Sequence, residues 1–338
     1  MKNFWRSASR WLPGVVISLA AILFIVWKFD LRSLAQAIRS ANYWLILACL
    51  LVSVIWLAER ALVWRTLLRN KASYKDVFLT LNEGYLLNNF LPFRLGELGR
   101  AFLLARKAGL GFMEVLSTII IERIVDVAFS AAILLAAVPF VVGAAGAGQI
   151  AALMGGLVVV GLVTLYVLAR NRTWAIRQFE KLSARWPALQ RRGGALVGSF
   201  LTGLESLTDG WVFLRFMGWM ILNWAISIVQ FYLVLLAFFP HPQPVWALFG
   251  LGAAAFGNAV PSMPGAIGTY EAALAGALTL VSKDAATSLA MALTGHILSY
   301  ISTGVIGVIA LSMEGETLMS IYHQLRHRQG DPEEAPRS

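Results

Sequence analysis

Three ionisable residues lie within five positions of one another in an apolar stretch of the sequence: Glu122, Arg123 and Asp126 in IIIERIVDVAF. On a helix, Glu122 and Asp126 share one face and Arg123 lies about 100° around it. A charge at the centre of a membrane helix costs about 2.5–3.5 kcal/mol even on a permissive scale, so these side chains need partners in protein or water. Since adjacent helical residues do not face each other, we expect Arg123 to pair with Glu83 or Glu97 on another element. The cluster is suited either to relaying a headgroup or ions, or to locking helices together through buried ion pairs.

Two segments rich in proline, glycine and asparagine interrupt apolar stretches, at 82–100 (NEGYLLNNFLPFRLGELGR) and 257–271 (GNAVPSMPGAIGTYE). A helix cannot continue unbroken through these prolines, because proline lacks an N–H group and clashes with the preceding turn. Broken backbone at membrane depth is tolerated only where it is buried in protein or lines a wet cavity. Paired broken segments in the two halves of a chain point to a transporter's binding site. The residues expected to break the helices are Pro92, Gly96, Pro261, Pro264, Gly265 and Gly268.

The broken segments also carry charged side chains. Arg94 and Arg100 are suited to a lipid phosphate, because the planar guanidinium makes two parallel hydrogen bonds to an oxyanion. For Arg106 and Lys107 we favour snorkelling to the membrane surface instead. Glu271 falls in the first turn of a predicted helix, where the positive helix end stabilises a carboxylate, so helix capping stands beside ligand binding as its role. The predicted substrate site consists of Glu83, Asn89, Arg94, Glu97, Arg100, Glu122, Arg123, Asp126 and Glu271.

Polar residues at helical spacing form two further stripes in apolar stretches. One contains Asn223, Ser227 and Gln230; the other contains His296, Ser299, Tyr300 and Thr303. Hydrogen bonding between helices is the expected role of both stripes. A role of His296 as a proton carrier is the alternative.

Composition indicates an integral membrane protein. Of the 338 residues, 58% are hydrophobic and 14% are charged, whereas soluble domains carry about 25% charged residues. The single cysteine, Cys49, excludes an intramolecular disulfide. The sequence has no phosphate-binding loop, GxSxG, HExxH or Cys/His pattern with metal-ligand spacing. We therefore predict no catalytic residues, no metal and no cofactor, and a transporter rather than an enzyme.

Apolar segments of about 20 residues predict the membrane spans. Six full spans are expected at about 12–29, 43–64, 112–141, 148–169, 211–239 and 284–311. The interrupted stretches at about 77–91 and 245–281 are each predicted to form a re-entrant hairpin or a pair of half-helices. Residues 1–311 would then form one transmembrane domain, followed by a cytoplasmic tail at 312–338.

The distribution of the 28 lysine and arginine residues predicts the orientation. Most of them fall in connections that lie on one side of the membrane if the N- and C-termini are cytoplasmic, which agrees with the positive-inside rule. This bias accounts for the net charge of +10 without nucleic acid as a partner.

The same order of elements then occurs in both halves with opposite orientation. Pseudo-repeats at about 1–145 and 146–311 would form an inverted repeat, which can present one site alternately to either side. The predicted fold is therefore an all-α polytopic membrane protein with six full spans and two re-entrant broken-helix hairpins arranged as an inverted repeat.

The order and spacing of several short motifs resemble the flippase-like family related to the transmembrane region of lysylphosphatidylglycerol synthase. The motifs are N-x(2)-P-x-R-x-G-E-x-x-R from Asn89 to Arg100, E-R-x(2)-D from Glu122 to Asp126, P-G-x-x-G-x-x-E from Pro264 to Glu271, and R-x(3)-W-R at Arg60, Trp64 and Arg65. The resemblance implies a bacterial or archaeal inner-membrane protein that moves lipids or lipid-linked precursors between leaflets. Larger relatives add a cytosolic aminoacyl-transferase domain, and we expect this chain not to make the aminoacylated lipid itself.

The leading hypothesis is therefore a lipid flippase or scramblase-like transporter, with a membrane lipid as partner and a homo-oligomer possible. Arg94, Arg100 and Arg123 would hold an anionic or phosphate-bearing headgroup, while the carboxylates balance those cations or bind an amine or a coupling proton. An integral-membrane transferase acting on a lipid-linked substrate is the second hypothesis. A non-catalytic subunit of an envelope-assembly complex is the third.

Overall fold

The computed structural model describes residues 31–91, 95–143, 146–183, 209–260 and 264–314. Within these ranges all regular structure is helical. The helices are α1 (Leu31–Ser40), α2 (Tyr43–Leu67), α3 (Tyr74–Phe90), α4 (Leu95–Ala108), α5 (Phe112–Val141), α6 (Ala147–Arg170), α7 (Arg172–Ser183), α8 (Gly210–Phe238), α9 (Pro244–Ala259), α10 (Thr269–Ser282) and α11 (Ala285–Glu314), with a short 3₁₀ turn at Pro264–Ala266 between α9 and α10. The expectation of an all-α protein is confirmed.

Four of the described helices, α2, α5, α8 and α11, are long and apolar enough to cross a membrane. Their bounds agree with four of the six predicted spans, which confirms the membrane-protein class. The predicted span at 148–169 coincides with α6. The predicted first span, at 12–29, lies outside the described residues. Helix α11 continues to Glu314 and so includes the first three residues of the predicted tail, and the remainder of that tail lies outside the described residues.

Both interrupted segments form pairs of short helices. Helices α3 and α4 have 17 and 14 residues, and α9 and α10 have 16 and 14, all fewer than the roughly 20 needed to span a membrane. In each pair the two helices pack against each other, so each pair is a helical hairpin. We refer to α3–α4 as the first hairpin and to α9–α10 as the second.

The second hairpin breaks where the backbone takes up positive φ angles. Gly265 has φ 69°, within the 3₁₀ turn that begins at Pro264, and Gly268 has φ 90° as the N-cap of α10. Glycine reaches these values without a steric penalty. In the first hairpin α3 ends at Phe90, and Leu91 is extended (φ −100°, ψ 139°), as expected for a residue before proline.

Pro92 and Pro261, predicted to break the helices, lie outside the described residues. Gly96 differs from the prediction, because it lies inside α4 rather than at the break. A Cβ atom on Gly96 would lie 2.5 Å from Asn88 Oδ1 and 2.7 Å from Asn88 N, and closer still to the carbonyl oxygen of Gly84. The glycine therefore allows α3 and α4 to approach closely.

We expect Gly96→Ala to destabilise the protein by about 1–3 kcal/mol, because the added methyl group overpacks a close helix contact against backbone atoms that cannot rotate away. The midpoint of thermal unfolding in detergent measures this. Gly276→Ala in α10 is the matched control, since nothing lies within 4 Å of a Cβ atom there. A Gly96→Ala protein as stable as the Gly276→Ala protein would contradict the prediction.

Each hairpin packs against a long helix from the other half of the chain. Helix α3 of the first hairpin packs on α11, helix α9 of the second packs on α5, and α2 packs on α8. Both hairpin contacts use a glycine. A Cβ atom on Gly307 of α11 would lie 2.8 Å from the Asn82 carbonyl oxygen, and one on Gly252 of α9 would lie 2.7 Å from Leu134 Cβ of α5. Each hairpin is thereby packed closely against the other half of the chain.

Candidate functional site

An ion-pair network joins helices α2, α4 and α5 within the bundle. Three guanidinium groups meet one oxygen atom, Oε1 of Glu122. Arg60 Nη2 lies 2.8 Å from it, Arg100 Nη2 2.9 Å and Arg123 Nη2 2.6 Å. Arg60, Arg100 and Glu122 are at most 2% exposed. A buried carboxylate is compatible with a stable fold only when such partners compensate its desolvation.

Asp126 and Glu97 complete the network. Asp126 Oδ1 accepts a hydrogen bond from Arg60 Nη1 at 3.0 Å, and a second, shorter contact joins Asp126 Oδ2 to Arg60 Nη2. Arg123 reaches Glu97 Oε1 from Nε at 3.3 Å and Asp126 Oδ2 from Nη1 at 3.3 Å. Three arginines therefore face three carboxylates, and their formal charges cancel.

The partners of Arg123 differ in part from the expectation. Glu97 is one of the two partners predicted, and Glu83 is not a partner. Arg123 also pairs with its neighbour Glu122, because its long side chain reaches back along the helix although the two Cβ atoms point apart. Glu122 and Asp126 do share one helix face, where both contact Arg60.

The network extends to α8 through an asparagine. Asn223 Oδ1 accepts a hydrogen bond from Arg60 Nη1 at 3.0 Å, and Asn223 Nδ2 donates to Glu59 Oε2 at 2.5 Å. In the same polar stripe, Gln230 Nε2 donates to Ser53 Oγ of α2 at 2.8 Å. Hydrogen bonding between helices, expected of both polar stripes, is thus present in this one.

Arg60 is the main member of the network that was not among the predicted site residues. Its position near the end of a span suggested an ordinary cytoplasmic charge, yet it is almost completely buried. The sequence feature that could have identified Arg60 as a site residue was the R-x(3)-W-R motif. Trp64 of that motif lies under Arg100, with 4.6 Å between the guanidinium carbon and the ring centroid, and its Nε1 donates to Thr118 Oγ1 at 3.0 Å.

A cavity of about 700 Å³ lies beside the network, within the usual size range for small-molecule sites. Arg123, Asp126 and Glu97 line it and are 28%, 19% and 14% exposed, respectively. Arg100 and Glu122 lie behind them and are not among the lining residues. Arg60 also borders the cavity but is only 2% exposed, so the network charges with appreciable exposure there are Arg123, Asp126 and Glu97.

Neutral polar groups make up much of the remaining wall. Asn89 of the first hairpin lines the cavity and donates a hydrogen bond from Nδ2 to Thr303 Oγ1 of α11 at 3.0 Å. Three lining residues, Trp56, Asn88 and Trp224, each have a buried polar atom without a hydrogen-bond partner among the described residues. A hydrogen-bonding ligand or water would satisfy these groups.

The second hairpin contributes a carboxylate–histidine pair. Glu271 Oε2 accepts a hydrogen bond from the Gly268 backbone N–H at 2.7 Å, so the capping role considered for Glu271 is present. Glu271 Oε1 lies 2.5 Å from His296 Nδ1. His296 lines the same cavity as Arg123, whereas Glu271 lies behind it. Gly265 also lines this cavity.

Glu83 lies elsewhere, in a second buried ion-pair group. Lys107 Nζ lies 3.1 Å from Glu83 Oε2 and 3.0 Å from Thr80 Oγ1, and it also contacts Glu314 of α11. Lys107 therefore ties α4 to α3 and α11 rather than snorkelling, and Glu83 is not among the described residues that line the cavity. Arg94 lies outside the described residues.

These features define an integral membrane protein with a charged cavity that both hairpins and the long helices line. A comparison with family models matches residues 11–307 to the lysylphosphatidylglycerol synthase transmembrane region. Since the match covers most of the chain, the protein belongs to this family, and the predicted relationship is confirmed. No curated protein and no solved structure matches the chain.

Proposed function

We propose that the protein is a lipid flippase-type transporter that moves a phospholipid or a lipid-linked headgroup across the inner membrane. The observation that carries this proposal is the cavity of about 700 Å³, which the ion-pair network borders on one side. A purely structural network needs no cavity beside it. Here an arginine and two carboxylates of the network are partly exposed to the cavity.

In this mechanism the cavity binds the headgroup while the acyl chains stay in the bilayer. Arg123 offers a partly exposed guanidinium, the group best suited to hold a phosphate through parallel hydrogen bonds. Arg94, in the first broken segment, would add a second cation. Glu97 and Asp126 balance the positive charge when the site is empty, and Asn89 adds a neutral polar side chain to the cavity wall.

An inverted repeat is part of the proposal, with six spans and both termini in the cytoplasm. A pseudo-two-fold relation between the halves would exchange α3 with α9 and α5 with α11. The contact of α3 with α11 would then correspond to that of α9 with α5, and both contacts are present. This exchange of partners supports a fold that opens the cavity to either side in turn.

Reconstitution of the purified protein into liposomes tests the function. We expect a fluorescent anionic phospholipid placed in one leaflet to appear in the other faster than in protein-free liposomes. Native mass spectrometry of co-purified lipids would identify the headgroup. Protein that moves no lipid of any headgroup class would contradict the proposal and favour an assembly subunit, while a product made only in the presence of a donor would favour a transferase.

A further inference from the structure

The Glu271–His296 pair has geometry beyond what helix capping requires. The 2.5 Å separation of Glu271 Oε1 and His296 Nδ1 needs a proton between the two atoms, because two lone pairs would repel each other. Glu271 Oε2 is fixed by the Gly268 N–H. Oε1 is therefore held beside Nδ1 of the imidazole, and the two atoms share one proton.

The pair carries a charge that depends on one further proton. A neutral imidazole that donates from Nδ1 keeps a lone pair on Nε2, so the pair has a net charge of minus one. A proton on Nε2 gives an imidazolium beside a carboxylate, with no net charge. Because His296 lines the cavity, water there can deliver that proton, whereas Glu271 lies behind the imidazole.

Arg60 and Arg123 line the same cavity, but neither forms an ion pair with Glu271 or His296. The imidazole lies between two aromatic rings, with centroid distances of 4.5 Å to Tyr270 and 4.7 Å to Tyr300. Cys49 of α2 lines the same cavity, while α9 and the 3₁₀ turn contain no ionisable side chain. No other charged side chain in the described ranges forms an ion pair with Glu271 or His296. The ionisable residues on the remaining elements packed against α10 and α11 are Arg32 and Arg39 of α1, Tyr43, Glu59, Arg60 and Arg65 of α2, Tyr74, Lys75, Asp76, Glu83 and Tyr85 of α3, Arg215 and Tyr232 of α8, and Glu314 at the end of α11.

The pair is linked directly to the break in the second hairpin. Tyr300, stacked on His296, donates a hydrogen bond from Oη to the Gly265 carbonyl oxygen at 3.1 Å. A side chain at Gly265 would collide with the Tyr300 hydroxyl group. A change of charge at His296 therefore acts beside the point at which the backbone of the hairpin turns.

We infer that the Glu271–His296 pair is a proton-binding site facing the cavity, and that proton movement through it drives lipid movement. Intramembrane carboxylate and histidine groups are characteristic of proton relays in transporters. The inference rests on the proposed lipid transport and adds its source of energy. One proton binds His296 Nε2 from one side of the membrane and is released to the other, with no bond formed or broken in the lipid.

The test measures lipid movement in proteoliposomes with and without an imposed pH gradient. A tenfold difference in proton concentration shifts the occupancy ratio of one site up to about tenfold, so we expect lipid movement to change by up to that factor. Glu271→Gln and His296→Gln should abolish the response to the gradient. Glu271→Gln keeps an oxygen that can accept from Gly268. His241→Gln replaces an exposed histidine and should respond as the wild type does.

Several outcomes would overturn the inference. Wild-type lipid movement that ignores the pH gradient would leave the proposed transport standing and remove only the proton coupling. Variants that respond as the wild type does would assign the pair a structural role, and a response to a sodium gradient alone would replace the proton with a metal cation. If the variants fail to fold, proton flux into liposomes that contain the wild-type protein is measured with an internal pH-sensitive dye. Proton flux that depends on the transported lipid supports the inference, and its absence overturns it. Absence of any lipid movement would remove the proposed function itself.

Discussion

Arg123→Ala will slow lipid movement in proteoliposomes by about 10- to 150-fold, because a hydrogen bond to a charged group contributes about 1.5–3 kcal/mol. Arg123 is the described arginine that combines network contacts with 28% exposure towards the cavity. The protein should still fold, since water in the cavity can solvate Asp126 and Glu97 after the change. Initial rates of leaflet exchange, with protein amount and monodispersity checked by size-exclusion chromatography, measure the effect.

Two further variants make this prediction specific. Arg123→Lys keeps the charge but loses the planar fork, so we expect a rate between those of wild type and alanine. Arg106→Ala removes an exposed arginine from α4, outside the cavity lining, and should leave the rate unchanged. Arg123→Ala protein that transports at the wild-type rate would show that Arg123 does not hold the headgroup.

Arg60→Ala will destabilise the folded protein by about 3–5 kcal/mol, because the buried network would keep three carboxylates but only two arginines, and one buried charge would be uncompensated. Arg60 is 2% exposed and contacts Glu122, Asp126 and Asn223 from a single guanidinium. We expect little folded protein after extraction in detergent, and a lower unfolding midpoint for what remains.

The control for Arg60 is an ion pair at the surface. Lys71 and Glu114 lie 2.5 Å apart and are 51% and 45% exposed, so Lys71→Ala should cost no more than about 1 kcal/mol. An Arg60→Ala protein with the unfolding midpoint of the Lys71→Ala protein would mean that the network does not stabilise the bundle.

The sequence predicted the broken helices and the charges within a span well, because both violate what a membrane helix permits. Proline and glycine at 264–268 limit where a helix can continue, and the backbone turns there. Glu122 and Asp126 share one helix face, so they needed a positively charged partner there, whichever helix supplied it. Such local constraints do not depend on how the helices pack.

The identity of the partners could not be predicted in the same way. Arg60 has the appearance of an interfacial charge until the register of α2 against α5 places it opposite Glu122. Glu83 and Lys107 meet because α3 and α4 pack through Gly84 and Gly96, a register that two separate helical patterns do not specify. Only the family motif linked Arg60 to the other charged residues.

The sharing of Glu122 by three arginines has a consequence for how a ligand can enter. Every carboxylate that Arg123 contacts has a second arginine neighbour: Arg60 and Arg100 for Glu122, Arg60 for Asp126, and Arg100 for Glu97. Arg123 is thus not the sole cation beside any of these carboxylates, although all three arginines are needed to balance their charge. The Arg123 side chain can turn towards an incoming phosphate and later return. Each of the three carboxylates keeps another arginine beside it at both stages.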